Sequence, residues 1–301
     1  MHIGYIGLGK MGQNMITRLL ERGHIITAYD PDAAARKRTA ALGTHVTDSV
    51  AAVAIALPPP RTIWLMVPHD AVDAVLEELA AQLAQGDTVI DGGNTYYKDS
   101  VRRSAEFAQK GIAFLDAGVS GGPSGARNGA SVMVGGKKDV YARFEQLFSD
   151  IATDGGYGYM GESGAGHFVK MVHNGIEYGM MQAIAEGFTL MKAAPFQLDL
   201  KEVARVYNHQ SVITSRLVGW LESAYEAHGT ELTDISGAVA QSGEGLWTVK
   251  TAQELGVPAP IIAGAVEFRR QSQEHPSYIG KVLSALRNQF GGHTVGIAQK
   301  R

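Results

Sequence analysis

The chain of 301 residues contains no cysteine, which excludes disulfides, thiolate catalysis and cysteine-ligated metal. It also lacks a strong charge of either sign. Lys and Arg number 27 against 30 Asp and Glu, for a formal net charge of -3. A nucleic-acid partner would call for a basic stripe, so none is expected. No run of about 18 uncharged apolar residues occurs, so no membrane span is expected either. The opening "MHIGYIGLG" reads as a strand and has no basic leader or long apolar segment of a targeting peptide. These absences fit a cytoplasmic protein. Glycine, by contrast, is plentiful at 37 residues, many in short motifs that suggest close approach of backbone to a ligand. The 45% hydrophobic content is ordinary, and the length is enough for two domains.

Periodicity divides the chain. "HIGYIG", "HIITAYD", "TIWLMVP", "DTVIDGG", "IAFLDAG" and "SVMVGG" are short, β-rich segments ending near Gly, Asp or Pro. Helical stretches such as "AVDAVLEELAAQLAQ" lie between several of them. Strands alternating with helices predict a mostly parallel, doubly wound α/β sheet of Rossmann type. After about Gly164 the strand signal fades and helical patterns follow one another. The expectation is a dinucleotide-binding domain over 1–163 and an all-helical domain over 164–301.

The stretch "GYIGLGKMGQNM" places Gly7, Gly9 and Gly12 in G-x-G-x-x-G spacing between a strand and a helix. Gly7 permits the tight turn, Gly9 lets the backbone approach a pyrophosphate, and Gly12 allows close helix–strand packing. The helix N-terminus then supplies N–H donors, so Leu8, Lys10 and Met11 also line the expected cofactor loop. Asp30 lies eighteen residues beyond Gly12 at the end of the second strand. A carboxylate there accepts hydrogen bonds from adenosine ribose hydroxyls and repels a 2′-phosphate, which favours NAD over NADP. Arg36, Lys37 and Arg38 stand nearby but one or two turns into the next helix.

Ligands on such sheets sit beyond the carboxyl ends of the strands. Three loops fall there, two of them with glycines. One carries Met66, Val67 and Pro68, a second carries Asn94, and a third carries Ser120, Gly121 and Gly122, able to form a backbone nest for an anion. Turns chosen for positive φ alone are the plainer reading of each loop.

The helix opening at Gly164 combines apolar Phe168, Val169, Met171, Val172, Ile176, Met180 and Met181 with polar Lys170, His173, Asn174, Glu177 and Tyr178. The polar five occupy positions i, i+3, i+4, i+7 and i+8, one face of a helix. Lys and Glu are rarely buried unpaired, and the apolar residues wrap far round the helix, so the polar face is expected to line a cavity. A metal is not expected, since His167 and His173 lie six apart on a helix and cannot face one centre.

These motifs resemble the 6-phosphogluconate dehydrogenase family, within the wider β-hydroxyacid dehydrogenases. "GLGKMGQNM", "DGGNTYYKD", "VSGGPSGARNGASVMVGG", "GAGHFVKMVHNGIEYG" and "RNQFGGHT" look like its signatures, in the family's order, from Gly7 to His293. The longer members have roughly half again as many residues in the helical domain, so this is similar to a short form. The resemblance implies oxidative decarboxylation of 6-phosphogluconate to ribulose 5-phosphate, a step of the pentose phosphate pathway and gluconate use. It assigns Lys170 as the base on the oxidised hydroxyl and Glu177 as the acid that protonates carbon 1 of the enediol. His173, Asn174, Asn94 and Ser120-Gly121-Gly122 match substrate-orienting groups, Asn94 also meeting the cofactor. Tyr178, Arg269, Arg287 and His293 match groups at the phosphate end, the last two given by the partner subunit in long members. A homodimer or homotetramer follows.

The chemistry suits those roles. Burial disfavours the charged form of a lysine, which suits a base at neutral pH, and a lysinium beside the new carbonyl is an electron sink for decarboxylation. Two departures stand out. Ser242 and Glu244 occupy positions where long members carry a lysine and a threonine on the phosphate, and a glutamate there repels it unless it points away or the acid end of the substrate differs. Asp30 stands where members using NADP have an uncharged residue followed by arginine. An alternative is a 3-hydroxyacid dehydrogenase for a small unphosphorylated acid such as 3-hydroxyisobutyrate, which leaves Glu177, Arg287 and His293 unexplained. A nucleotide-binding sensor without turnover leaves both Lys170 and Glu177 unexplained.

Overall fold

The computed structural model describes residues 1–241 and 243–291. The first half alternates strand and helix: β1 (His2–Ile6), α1 (Lys10–Glu21), β2 (Ile25–Tyr29), α2 (Ala33–Ala40), β3 (His45–Val46), α3 (Val50–Ile55), β4 (Thr62–Leu65) and α4 (Val72–Ala80). It continues through β5 (Thr88–Asp91), α5 (Tyr97–Ala108), β6 (Ala113–Ser120), α6 (Gly122–Asn128), β7 (Ala130–Gly135), α7 (Lys138–Arg143), α8 (Glu145–Ile151) and β8 (Ala152–Gly161). Six helices follow: α9 (Ala165–Ala193), α10 (Leu200–Tyr207), α11 (Arg216–His228), α12 (Glu244–Glu254), α13 (Pro260–Gln271) and α14 (Tyr278–Gly291). The α/β class with a helical second part is the expected one.

The sheet runs β3-β2-β1-β4-β5-β6-β7-β8, parallel except where β7 pairs antiparallel with β6. From β1 the chain winds first to β2 and β3, then back across to β4. Such a reversal opens a crevice at the carboxyl ends of β1 and β4. Both faces of the sheet are apolar, as a parallel sheet covered by helices requires. Ile3, Tyr5, Trp64, Ile90 and Leu115 face one buried cluster, and Ile6, Ile63, Leu65, Val89 and Phe114 face another. That alternation is the two-residue period of a strand. Two strands were not anticipated. β3 has only two residues, and the glycines of β8 hide its pattern while its pairing with β7 is interrupted by register shifts.

The chain divides into two compact units, one ending at Met171 and one beginning at Val172, so the division falls within α9. The helical unit has its own core, in which Met181, Phe188, Leu217, Leu221, Tyr225, Val282 and Leu286 are buried. One expectation for α9 needs correction. Its apolar residues are not all covered, since Ile176 is 53% and Met180 44% exposed. These two lie one turn apart on a stripe facing solvent, so the helix is not enclosed on all sides.

Candidate active site

In the sheet unit three expected loops abut one another. Gly7 has φ +102°, and a Cβ there would lie 2.3 Å from the Met66 carbonyl oxygen and 3.1 Å from Val67. At Gly12 a Cβ would stand 2.0 Å from the Gly7 oxygen, so α1 crosses β1 at a distance only glycine allows. Gly9 has open space where its Cβ would go, and as N-cap of α1 it uses no side chain to cover the helix N–H groups. The start of α1 thus turns its positive potential toward the loop, which fits the pyrophosphate of a dinucleotide.

Asp30 is tied into this loop. Its Oδ2 accepts from the Leu8 N–H at 2.7 Å and its Oδ1 from the Asp32 N–H at 2.8 Å. Each carboxylate oxygen keeps a further lone pair for a ribose hydroxyl. The basic cluster is partly committed elsewhere. Arg36 donates to the backbone oxygens of Asp30 (2.7 Å) and Pro31 (3.1 Å), and Arg38 lies 3.8 Å from Asp32.

Asn94 is exposed on the β5–α5 loop, whose Gly93 would place a Cβ 2.8 Å from the Val67 oxygen. β6 pairs with β5 as far as Asp116 opposite Asp91, then runs four residues further to Ser120. Gly121 and Gly122 follow with φ of 124° and 62° and open α6, the left-handed backbone that glycine takes without strain.

Lys170 is brought to these loops by contact of backbone with stem. It is buried, and a Cβ at Gly118 would lie 2.3 Å from the Lys170 Cβ. The start of its helix is fixed by Asp116, buried in β6, whose carboxylate accepts from the N–H groups of Gly164 (2.7 Å) and His167 (2.8 Å). A carboxylate at a helix N-terminus both satisfies free donors and complements the dipole. His167 is buried with Nδ1 2.7 Å from the Ser100 hydroxyl. Asp116 and Gly118 were not singled out from the sequence, although a charged residue amid a strand's apolar run was a visible signal.

The helical unit holds the remaining groups. His173 Nδ1 is 2.9 Å from the Asn174 oxygen and 4.0 Å from Glu177 Oε2. Glu177 follows Lys170 by seven residues on the same helix, two turns and about 10 Å along the axis. Tyr178 and Arg269 are both buried, and the guanidinium lies over the phenol ring 3.4 Å from its centre. Neither the Tyr178 hydroxyl nor Arg269 Nη1 has a hydrogen-bond partner among the described residues. Burial lowers the Arg269 pKa to about 10, with neighbouring Arg287 adding to the effect and Tyr178, Glu177 and Glu244 opposing it. Burial likewise lowers that of Arg287, against the pull of Tyr178, Glu244 and Glu177. Arg287 thus stands in its own chain's cluster. Glu244 is buried at the start of α12, and its charge bears on both arginines. His293 and Ser242 lie outside the described residues.

Comparison with known proteins matches both halves. Residues 2–161 fit the NAD binding domain of 6-phosphogluconate dehydrogenase, and residues 166–279 fit the 6-phosphogluconate dehydrogenase C-terminal domain. The chain belongs to the 6-phosphogluconate dehydrogenase family. The Bacillus subtilis (strain 168) protein YqeC is 47% identical over 97% of this chain and 98% of its own. The NAD(+)-dependent, decarboxylating 6-phosphogluconate dehydrogenase of Haloferax volcanii is 42% identical over 98% of each. Among solved structures, the Plasmodium falciparum 6-phosphogluconate dehydrogenase superposes with a TM-score of 0.81 at 32% identity. The match covers 91% of this chain and 62% of that one, so this member of the family is the shorter. A Mycobacterium tuberculosis 3-hydroxyisobutyrate dehydrogenase shares the fold at 22% identity, with a TM-score of 0.75. Among the described residues no group of three or more His, Asp or Glu could hold a metal ion, and no helix is long and apolar enough to cross a membrane.

Proposed function

We infer that this chain catalyses the oxidative decarboxylation of 6-phospho-D-gluconate to D-ribulose 5-phosphate and carbon dioxide, with NAD preferred over NADP. The observation that carries the substrate is the buried Tyr178–Arg269 pair, with two polar atoms that have no partner among the described residues. Buried polar groups are nearly always paired, so these two await a ligand with several acceptor oxygens. A phosphate supplies them. A small unphosphorylated acid would leave both atoms orphaned at a cost of about 1–3 kcal/mol each.

The Gly7–Gly12 loop and the residues Asp30, Met66, Val67, Pro68 and Asn94 would hold the dinucleotide, which when bound supplies the hydride acceptor. Lys170 takes the proton from the substrate's carbon-3 hydroxyl as hydride leaves that carbon. The oxidised substrate is a β-keto acid, and the lysinium stabilises the charge that builds on its carbonyl oxygen as the carbon dioxide leaves. Glu177 then protonates carbon 1 of the enediol. Ser120, Gly121, Gly122, His173 and Asn174 orient the acid, and Tyr178, Arg269, Arg287 and His293 hold the phosphate end. The NAD preference rests on Asp30, with Arg36 held back by the oxygens of Asp30 and Pro31. Residues 164–301 serve substrate binding and pairing with another copy, as homodimer or homotetramer, in the cytoplasm. The direct test is a spectrophotometric assay of NAD and NADP reduction with 6-phosphogluconate, gluconate and 3-hydroxyisobutyrate. Reduction with 6-phosphogluconate and NAD alone supports the reading, whereas turnover of 3-hydroxyisobutyrate in its place refutes it.

A further inference from the structure

Two aspartates pair side by side on neighbouring strands, Asp91 at the end of β5 and Asp116 in the middle of β6, and both are wholly buried. Asp116 caps α9. The other has a different set of partners. Asp91 Oδ1 accepts from the Gly93 N–H at 3.1 Å, and its Oδ2 accepts from the Thr95 hydroxyl at 2.9 Å. These two donors flank Asn94. On its far side the same Oδ2 lies 3.6 Å from Nη1 of Arg103, itself only 2% exposed on α5. Arg103 in turn donates through Nε to Asp73 on α4 at 2.7 Å. The Arg103 and Arg102 guanidiniums hold the Asp73 carboxyl down to about 2, so it stays ionised as the outer anchor at neutral pH.

A buried carboxylate is costly unless paired and hydrogen-bonded, and this one is paired with Arg103 and directs its hydrogen bonds to Gly93 and Thr95 on a single loop. The loop has little freedom left. A Cβ at Gly92 would lie 2.5 Å from the Trp64 ring nitrogen, and one at Gly93 would lie 2.8 Å from the Val67 oxygen and 3.3 Å from Asp91 Oδ1. Residues 92–95 are therefore clamped between the strand below, the Met66–Pro68 loop beside them and the carboxylate inside. Asn94 is the one residue of the four whose side chain is exposed.

We propose that Asp91, backed by Arg103, is a positioning residue that sets the Asn94 side chain through Gly93 and Thr95. This rests on the reading of Asn94 as a ligand-contacting residue. Asp91 itself touches neither substrate nor cofactor. Its part is to fix where the amide points before either arrives, so that no ordering cost falls on binding.

Asp91→Asn and Arg103→Met disturb a buried charge and are expected to impair folding, so the decisive variant is Thr95→Val, which removes one hydrogen bond and keeps the shape. One net hydrogen bond corresponds to about a three- to tenfold change. Thr95→Val is expected to lower kcat/KM for 6-phosphogluconate by that factor. It should also weaken NAD binding, measured without substrate by protein fluorescence quenching. Thr95→Ser, which keeps the hydroxyl, should restore both to within about twofold of the parent. In an Asn94→Ala background, Thr95→Val should add less than about twofold to either loss, because a residue acting through Asn94 has nothing left to position. Fully additive losses would overturn the proposal in favour of general destabilisation of the sheet edge. If Asn94→Ala alone leaves both measurements at the parent value, Asn94 is not a ligand contact and the positioning role falls with it. If Asn94→Ala is impaired while Thr95→Val matches the parent, only the positioning role fails.

Discussion

Replacing Gly118 with alanine tests how Lys170 is held. The added Cβ would lie 2.3 Å from the Lys170 Cβ, 2.9 Å from its Cγ and 3.0 Å from the Gly166 oxygen. Carbon atoms rest at about 3.5–4.0 Å, so either β6 or the lysine stem must shift by roughly 1.2–1.7 Å. The obstacle is the root of the side chain, which a change of rotamer cannot move out of the way. The helix cannot easily retreat either. Its first turn is bonded to Asp116, and Gly166 would place a Cβ 2.5 Å from the oxygens of both Asp116 and Met133. A displacement of about 1 Å in a catalytic group can cost on the order of 10²-fold in rate. Gly118→Ala is therefore expected to lower kcat with 6-phosphogluconate by roughly that factor, while NAD affinity measured by fluorescence stays within about twofold. Stability should fall by about 1–3 kcal/mol, as for other overpacked sites. Steady-state kinetics normalised to folded protein by circular dichroism separates the two effects. A variant with kcat within about threefold of the parent would show that the Gly118 seat does not set the position of Lys170.

Further predictions follow from the other groups. Lys170→Met should abolish turnover, at a cost of at least 10²–10⁴-fold as typical for a general base, with NAD binding preserved; retention within about tenfold refutes the role. Glu177→Gln should lower kcat more than it raises the KM for 6-phosphogluconate, and an unchanged kcat across the working pH range removes Glu177 from the chemistry. Arg269→Met should leave the ligand-free protein about as stable as the parent. Its folded pKa, about 10, lies well below that of a free guanidinium, so the folded state carries a charge-burial penalty of order 3 kcal/mol at neutral pH, offset in part by the Tyr178 ring. Since the unfolded chain binds that proton more tightly, the penalty is present in full below about pH 10 and eases as pH rises above it. The same variant should lose the thermal shift given by 6-phosphogluconate, whereas a ligand-free loss above about 3 kcal/mol would mark Arg269 as a structural group instead. Asp30→Ser should reduce the ratio of NAD to NADP use by at least about tenfold, because one charge-assisted hydrogen bond is worth about 1.5–3 kcal/mol; an unchanged ratio would mean that Asp30 does not face the ribose.

Much of the framework was legible because it is written in local pattern. The strand–glycine–helix order around Gly7, Gly9 and Gly12 needs no tertiary information, nor does the switch from period 2 to period 3.6 near Gly164. The helix that carries Lys170, His173, Asn174, Glu177 and Tyr178 was legible for the same reason. What escaped depends on contacts distant in sequence. Asp91 and Asp116 each follow a short apolar run, and only the fold reveals that one ends its strand and serves the Asn94 loop while the other sits within β6 and caps a helix 48 residues away. Gly118 resembles any strand glycine until the Lys170 stem is seen against it. The exposure of Ile176 and Met180 was misjudged because apolar character alone cannot tell a covered face from a bare one. Glu244, read as a repulsive neighbour of a phosphate, is buried, with its charge bearing on Arg269 and Arg287, a relation that joins α12 to α13 and α14 and leaves no local trace.

Oxidation at this site is coupled to loss of carbon dioxide. That coupling is tested most directly by measuring reduced nicotinamide and carbon dioxide together in one reaction of the purified protein with 6-phosphogluconate and NAD. The paired roles of Lys170 and Glu177 predict one carbon dioxide released for each NAD reduced. Reduction of NAD with no carbon dioxide released would contradict them.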